Sequence, residues 1–206
     1  MTFRAELAEI PSWNRDQWLD ELWDIDEIPS DDELPRGCVP YLPCPVATVL
    51  DALQQAAVTG DDVFVDVGSG AGRAAFLAHL TTGASCIGLE IQPALVRSAQ
   101  GRADWLSLSR LRFVAGDAAD MIRWITIGTV YFLYCPFGGD RLRRFLDGLE
   151  RVARTRPIRV CCVDMPPLEQ SWLSRLPATS TRVDVYRSIE RPPGAGGNEP
   201  RSGSHD

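Results

Sequence analysis

Between residues 61 and 190, short apolar runs alternate with longer segments whose apolar residues recur every three or four positions. The short runs predict strands at 62–67, 85–90, 111–115, 129–134, 158–164 and 182–189. The longer segments predict helices at 71–80, 93–106 and 139–154, with a shorter one near 118–124. Strands that alternate with helices imply right-handed crossovers, so the expected fold class is α/β with a doubly wound, mainly parallel sheet. Upstream, Val46, Val49, Leu50 and Leu53 stand at helical spacing. Further upstream, Ser12 or Asn14 would cap a short helix that puts Trp18, Leu19, Leu22 and Trp23 on one face. The expected organisation is an acidic, Trp-rich arm over 1–36, docked on a domain over 37–190. A Pro/Gly/Ser-rich tail over 191–206 is expected to be disordered.

In a doubly wound sheet, ligands bind beyond the carboxyl ends of the strands. The first strand runs into Gly68-Ser69-Gly70-Ala71-Gly72, a turn whose backbone approaches a ligand closely while the next helix offers its N-terminal amides. Two details disagree with a dinucleotide site. Arg73 stands where GxGxxG needs its third glycine, and Asp66 lies two residues before the first. A carboxylate there opposes a pyrophosphate and favours an ammonium, such as the one on the amino-acid end of S-adenosylmethionine (SAM). Glu90, ending the second strand, suits ribose hydroxyls. Asp117, just after the third strand, suits an adenine amino group.

Composition narrows the chemistry. The chain contains no lysine, and its two histidines are His79, on a predicted helix, and His205, in the tail. Schiff-base chemistry through lysine is excluded, and a Ser–His or Cys–His nucleophile is not expected. The six cysteines include no CxxC pair, so they read as small buried hydrophobes or reduced thiols, and no metal site is expected. No run reaches the ~20 apolar residues that span a bilayer, and the start lacks the apolar core of a signal peptide, so a cytoplasmic protein is expected. The net charge is −7, and residues 1–33 hold eleven acids against two arginines. That imbalance argues against nucleic acid as a partner. It fits either a solvated acidic face or the approach of a basic substrate. The arginines at 141, 143, 144, 151, 154, 156 and 159 read as a solvated outer face.

Over roughly residues 40–190 the chain resembles class I SAM-dependent methyltransferases. The resemblance implies a Rossmann-like sheet, with Asp66, Gly68, Gly70 and Gly72 around the methionine moiety. It gives Glu90 to the ribose and Asp117 with Ala118 to the adenine, and Ser69, Ile91 and Cys135 complete the expected cofactor contacts. A narrower resemblance joins Pro40-Tyr41-Leu42-Pro43-Cys44-Pro45 to the VDVGSGAGR turn. Both look like small protein-lysine methyltransferases that read P-Y-V-P-T-P and D-L-G-S/C-G-x-G-R, although Leu42 and Cys44 depart from that pattern. Tyr134-Cys135-Pro136-Phe137 is similar to the N/D-P-P-Y/F motif of amino-group methyltransferases, without its leading Asn or Asp. These resemblances imply methyl transfer to a protein lysine. A small-molecule acceptor, or a non-catalytic SAM- or nucleotide-binding module, is the alternative. Tyr41, Tyr134 and Asp164 are the candidate catalytic residues; packing or turn-capping is the competing role for Tyr41 and Asp164.

Overall fold

The structure, a computed structural model, describes residues 2–23, 34, 38–178 and 181–189. The predicted tail and part of the acidic arm lie outside the described residues. Two short helices, α1 (Phe3–Glu9) and α2 (Arg15–Leu22), precede α3 (Val46–Gln55). The alternating region follows as β1 (Val63–Val67), α4 (Arg73–Thr82), β2 (Ser85–Glu90), α5 (Pro93–Trp105) and β3 (Leu111–Ala115). It continues through α6 (Ala118–Met121), β4 (Val130–Tyr134), α7 (Gly139–Ala153), β5 (Arg159–Val163), β6 (Leu173–Arg175) and β7 (Val183–Ser188).

The seven strands lie in the order β3-β2-β1-β4-β5-β7-β6. Neighbours from β3 to β5 pair in parallel, and β7 is antiparallel to both β5 and β6. The doubly wound expectation is therefore met. The strand order reverses between β1 and β4, which opens a crevice at their carboxyl ends.

Alternating strand residues feed two cores. Phe64, Phe132, Cys161 and Val163 point towards α3, α4 and α5, with Phe64 and Phe132 stacked at 5.8 Å. Val65, Val67, Tyr131 and Leu133 point towards α6 and α7. Burial on both faces explains why these strands read as continuous apolar runs.

Several expectations need correction. The helix α1 was not anticipated, because Leu7 is its one buried residue. Asn14 precedes α2 but makes no side-chain cap bond, and Ser12 lies in a separate 3₁₀ turn. On α2, Leu19 and Trp23 are buried and Trp18 is half-buried against Phe3, whereas Leu22 is 44% exposed. The expected apolar face is thus narrower than its spacing suggested. The strand β6 was missed because it is three residues long and pairs only with β7.

Candidate active site

The glycine turn closes the crevice floor. The amides of Gly68 and Ser69 both donate to the Leu89 carbonyl, tying the turn to β2. Gly70 adopts a left-handed φ of 53°. Its Cα lies so close to the Tyr41 ring that a β-carbon there would overlap it. Beneath the turn, Asp66 is buried and accepts a 3.2 Å hydrogen bond from the Ala75 amide of α4. Burial, with a smaller contribution from the nearby Glu90, pushes its carboxyl up to about 7 despite that bond.

Glu90 ends β2, also buried. One carboxylate oxygen accepts from the Gly70 amide at 2.8 Å and the other from the Gln92 amide at 2.9 Å. Each oxygen keeps a further lone pair. Asp117 follows β3, where it caps α6 by accepting from the Ala119 amide at 3.0 Å. Its second oxygen lies 3.2 Å from Arg141 Nη1. Arg141 was expected on a solvated face. It instead turns inward from α7, its side chain 14% exposed, and donates to Cys38 Sγ at 3.1 Å. Arg159, from the same series, also departs from that expectation and pairs with Asp62.

Residues 38–41 roof the cleft, and Cys38 forms an antiparallel bridge with Phe137. The cleft is lined by Tyr41, Gly68, Glu90, Ile91, Asp117, Ala118, Tyr134 and Cys135. The sequence had singled out each of these residues from separate segments. Asp66, Ser69 and Gly70 sit in or under the turn, and Gly72 ends it. Asp164 lies one strand over, at the end of β5. The Cys135 thiol reaches across to the carbonyl of Val163 at 3.4 Å and to that of Asp164. Both Cys135 (φ 41°) and Asp164 (φ 50°) hold left-handed conformations, unusual for residues with side chains.

These residues fit SAM. Among the described residues, Tyr41 Oη and Ser69 Oγ are buried beside the turn without a hydrogen-bond partner, and Tyr41 also lines the cleft, as expected of a group that meets a polar ligand. Asp66 offers a negative charge to an ammonium, and Glu90 and Asp117 stand at the ends of successive strands. No phosphate-binding cation lies within the turn, because Arg73 is engaged elsewhere.

Sequence reasoning missed that engagement. Arg73, the first residue of α4, is 5% exposed and pairs with Asp16 and Asp20 of α2. In the sequence Asp16 and Asp20 belong only to an acidic stretch. Nothing local marked the link, since more than fifty residues separate the partners.

Residues 59–124 match the methyltransferase-domain family, a span that holds the turn, Glu90 and Asp117. No curated protein matches the chain in sequence. Among solved structures, the chain is similar to an RNA methyltransferase from Salinibacter ruber in complex with S-adenosyl-L-homocysteine. They share 27% identity over 74% of this chain and 97% of that one, with a TM-score of 0.56. YhhF from Escherichia coli (17% identity, 78% and 91% covered, TM-score 0.56) shares the fold. So does HI0767 from Haemophilus influenzae (18% identity, 74% and 92% covered, TM-score 0.53). With this domain set in this strand order, its cleft walled by the acids at successive strand ends, the protein is an enzyme of the class I, S-adenosylmethionine-dependent methyltransferase kind.

Proposed function

We propose that the enzyme methylates an amino nitrogen, and that its acceptor is a lysine side chain of a protein. One observation supports this reading above the others: an exposed carboxylate at the end of β5, held beside the cleft mouth. The Asp164 side chain has no hydrogen-bond partner among the described residues, and its backbone is fixed through the Cys135 thiol. A free carboxylate there attracts an ammonium and accepts the proton that the nitrogen must lose before it becomes nucleophilic.

When bound, SAM supplies an electrophilic methyl group, which the nitrogen lone pair takes in line while the sulfur keeps the electrons of the broken bond. The chain's own residues then hold the partners in register. Such orientation is worth roughly 7–11 kcal/mol of barrier. In this reading Asp66 receives the cofactor's ammonium, Glu90 the ribose hydroxyls and Asp117 the adenine edge. Tyr134 faces the acceptor. Burial, then the neighbouring Cys44, Asp164 and Cys135, raise its hydroxyl, so it stays a neutral hydrogen-bonding wall rather than a base. Burial likewise pushes Tyr41 up to about 12, and its ring covers the turn against water.

The segments 40–45 and 66–73, with their likeness to protein-lysine methyltransferases, support lysine as the acceptor. A second reading, a nucleobase amine in RNA, has the Salinibacter ruber relative in its favour and the net charge of −7 against it. Radiolabelled SAM offered to a lysate of a deletion strain distinguishes them, after separation into protein, RNA and small molecules. The chain has no lysine of its own, so methyl-lysine in a protein hydrolysate comes from the acceptor. Label confined to RNA or to low-mass compounds would overturn the lysine assignment.

A further inference from the structure

Arg73 occupies a place where a cation is doubly disfavoured. It is buried, and it begins α4, where the helix amides concentrate partial positive charge. Two acids of the arm offset this. Asp16 Oδ1 accepts from Arg73 Nη1 at 2.6 Å and also from the Val46 amide at 3.0 Å, capping α3. Asp20 Oδ1 accepts from Arg73 Nη2. The same helix is then pinned by Trp23, whose ring packs on Phe76 of α4 at 5.1 Å. The Trp23 carbonyl accepts from Arg102 Nε of α5 at 3.0 Å.

One turn of arm helix thus joins the N-termini of α3 and α4. Its charges also reach the cleft. After burial, Arg73, Asp20 and Asp66 all act on the hydroxyl of Tyr41, whose ring lies against the glycine turn.

We propose that Asp16 and Asp20 are positioning residues for the methyl donor. By neutralising Arg73 they leave the carboxyl groups of Asp66 and Glu90 without an opposing cation at the turn, with Asp66 free to hold the ammonium on the donor's amino-acid end. The proposal rests on the reading that Asp66 receives that ammonium. Without the two acids, an uncompensated guanidinium beside the turn would repel it.

The test compares two probes by calorimetry on the full chain. SAM has the amino-acid end, and 5′-methylthioadenosine keeps the adenosine and sulfur but lacks that end. In the D16N/D20N variant, which loses two negative charges, SAM binding should weaken at least tenfold, the scale of each unit charge acting across ~10 Å at an effective dielectric of about 20. Binding of 5′-methylthioadenosine should not change. Adding Arg73→Gln to that variant removes the unpaired cation and should restore SAM affinity. Asp20→Asn alone, with Asp16 still on Arg73, should shift SAM binding in the same direction by a smaller factor. It serves as the test should the double variant not fold.

The proposal fails if D16N/D20N binds SAM as the wild type does. It also fails if both probes weaken alike, which would mean general loosening of the turn, or if Arg73→Gln restores nothing. Wild-type protein that bound neither probe would instead remove the cofactor reading beneath it.

Discussion

The Tyr41 ring lies directly against Cα of Gly70, leaving no room for a β-carbon on that glycine. Gly70→Ala must therefore displace the roof of the cleft as well as strain a left-handed residue, the latter costing about 1–2 kcal/mol. The expected result is a modest fall in melting temperature and a much larger loss of SAM binding. Melting curves and calorimetry on the same preparation check this. An alanine variant that bound SAM normally would show that Tyr41 does not help to form the site.

In the proposed reading, Asp66 makes donor binding depend on pH. Its carboxyl sits at about 7 when folded, well above the ordinary carboxylate value, because burial penalises the charge. In the unfolded chain it ionises near pH 4. Its contribution to stability is fully present below that pH and is lost as pH rises through about 7. An arriving ammonium favours the ionised form, so SAM affinity should rise with pH up to about 7 and then level off, with a proton released on binding. Asp66→Asn should flatten that profile and weaken binding on the alkaline side. A wild-type affinity with no slope between pH 6 and pH 8 would sink this account.

Asp164 should separate chemistry from donor binding. Asp164→Asn keeps the size of the side chain but removes the proton acceptor, so kcat should fall by roughly 10²-fold. The dissociation constant for SAM should stay as it is, since Asp164 lies outside the donor contacts. Tyr134→Phe should have a smaller effect. An unchanged kcat in Asp164→Asn would return that residue to a turn-forming role.

Asp62 shows the opposite pH behaviour on the far side of the sheet. Burial alone would raise its carboxyl. Hydrogen bonds from Thr59 and Thr129 and the Arg159 guanidinium outweigh that and lower it. The stability it contributes is therefore present above the ordinary carboxylate value and lost as pH falls through the lowered one. Asp62→Ala should cost about 1.5–3 kcal/mol at neutral pH, the scale of hydrogen bonds to a charged group. The cost should shrink in acid. Denaturant titrations at pH 7 and pH 3 measure both.

The sequence made legible what local chemistry dictates. Val63–Val67, apart from Asp66, and Val130–Tyr134 are apolar because the sheet buries both faces, and that run survives without any long-range information. The turn at 68–72 was equally plain, since its backbone demands glycine. The placement of Asp66, Glu90 and Asp117 at one end of the sheet followed because each sits at a fixed offset from a strand end. The contacts that depend on distant partners were hidden. Arg73 carried no sign that Asp16 would meet it, and Arg141 looked like its exposed neighbours Arg143 and Arg144 until Asp117 and Cys38 were beside it. Leu173–Arg175 was invisible for the same reason, being a strand only because β7 lies next to it.

The link from β5 to β6 spans residues 164–172 without a helix, and Trp172 fills the neighbouring core with its indole. That link is extended chain held at several points, with Met165 and Leu168 packed on the same core and the Leu168 amide donating to Tyr186 Oη, whereas the cleft is built from strand ends, a tight turn and helix starts. In the proposed reading, where Asp164 meets the acceptor, the chain that follows it is the segment whose substitution would change the acceptor while leaving the glycine turn, Glu90 and Asp117 in place.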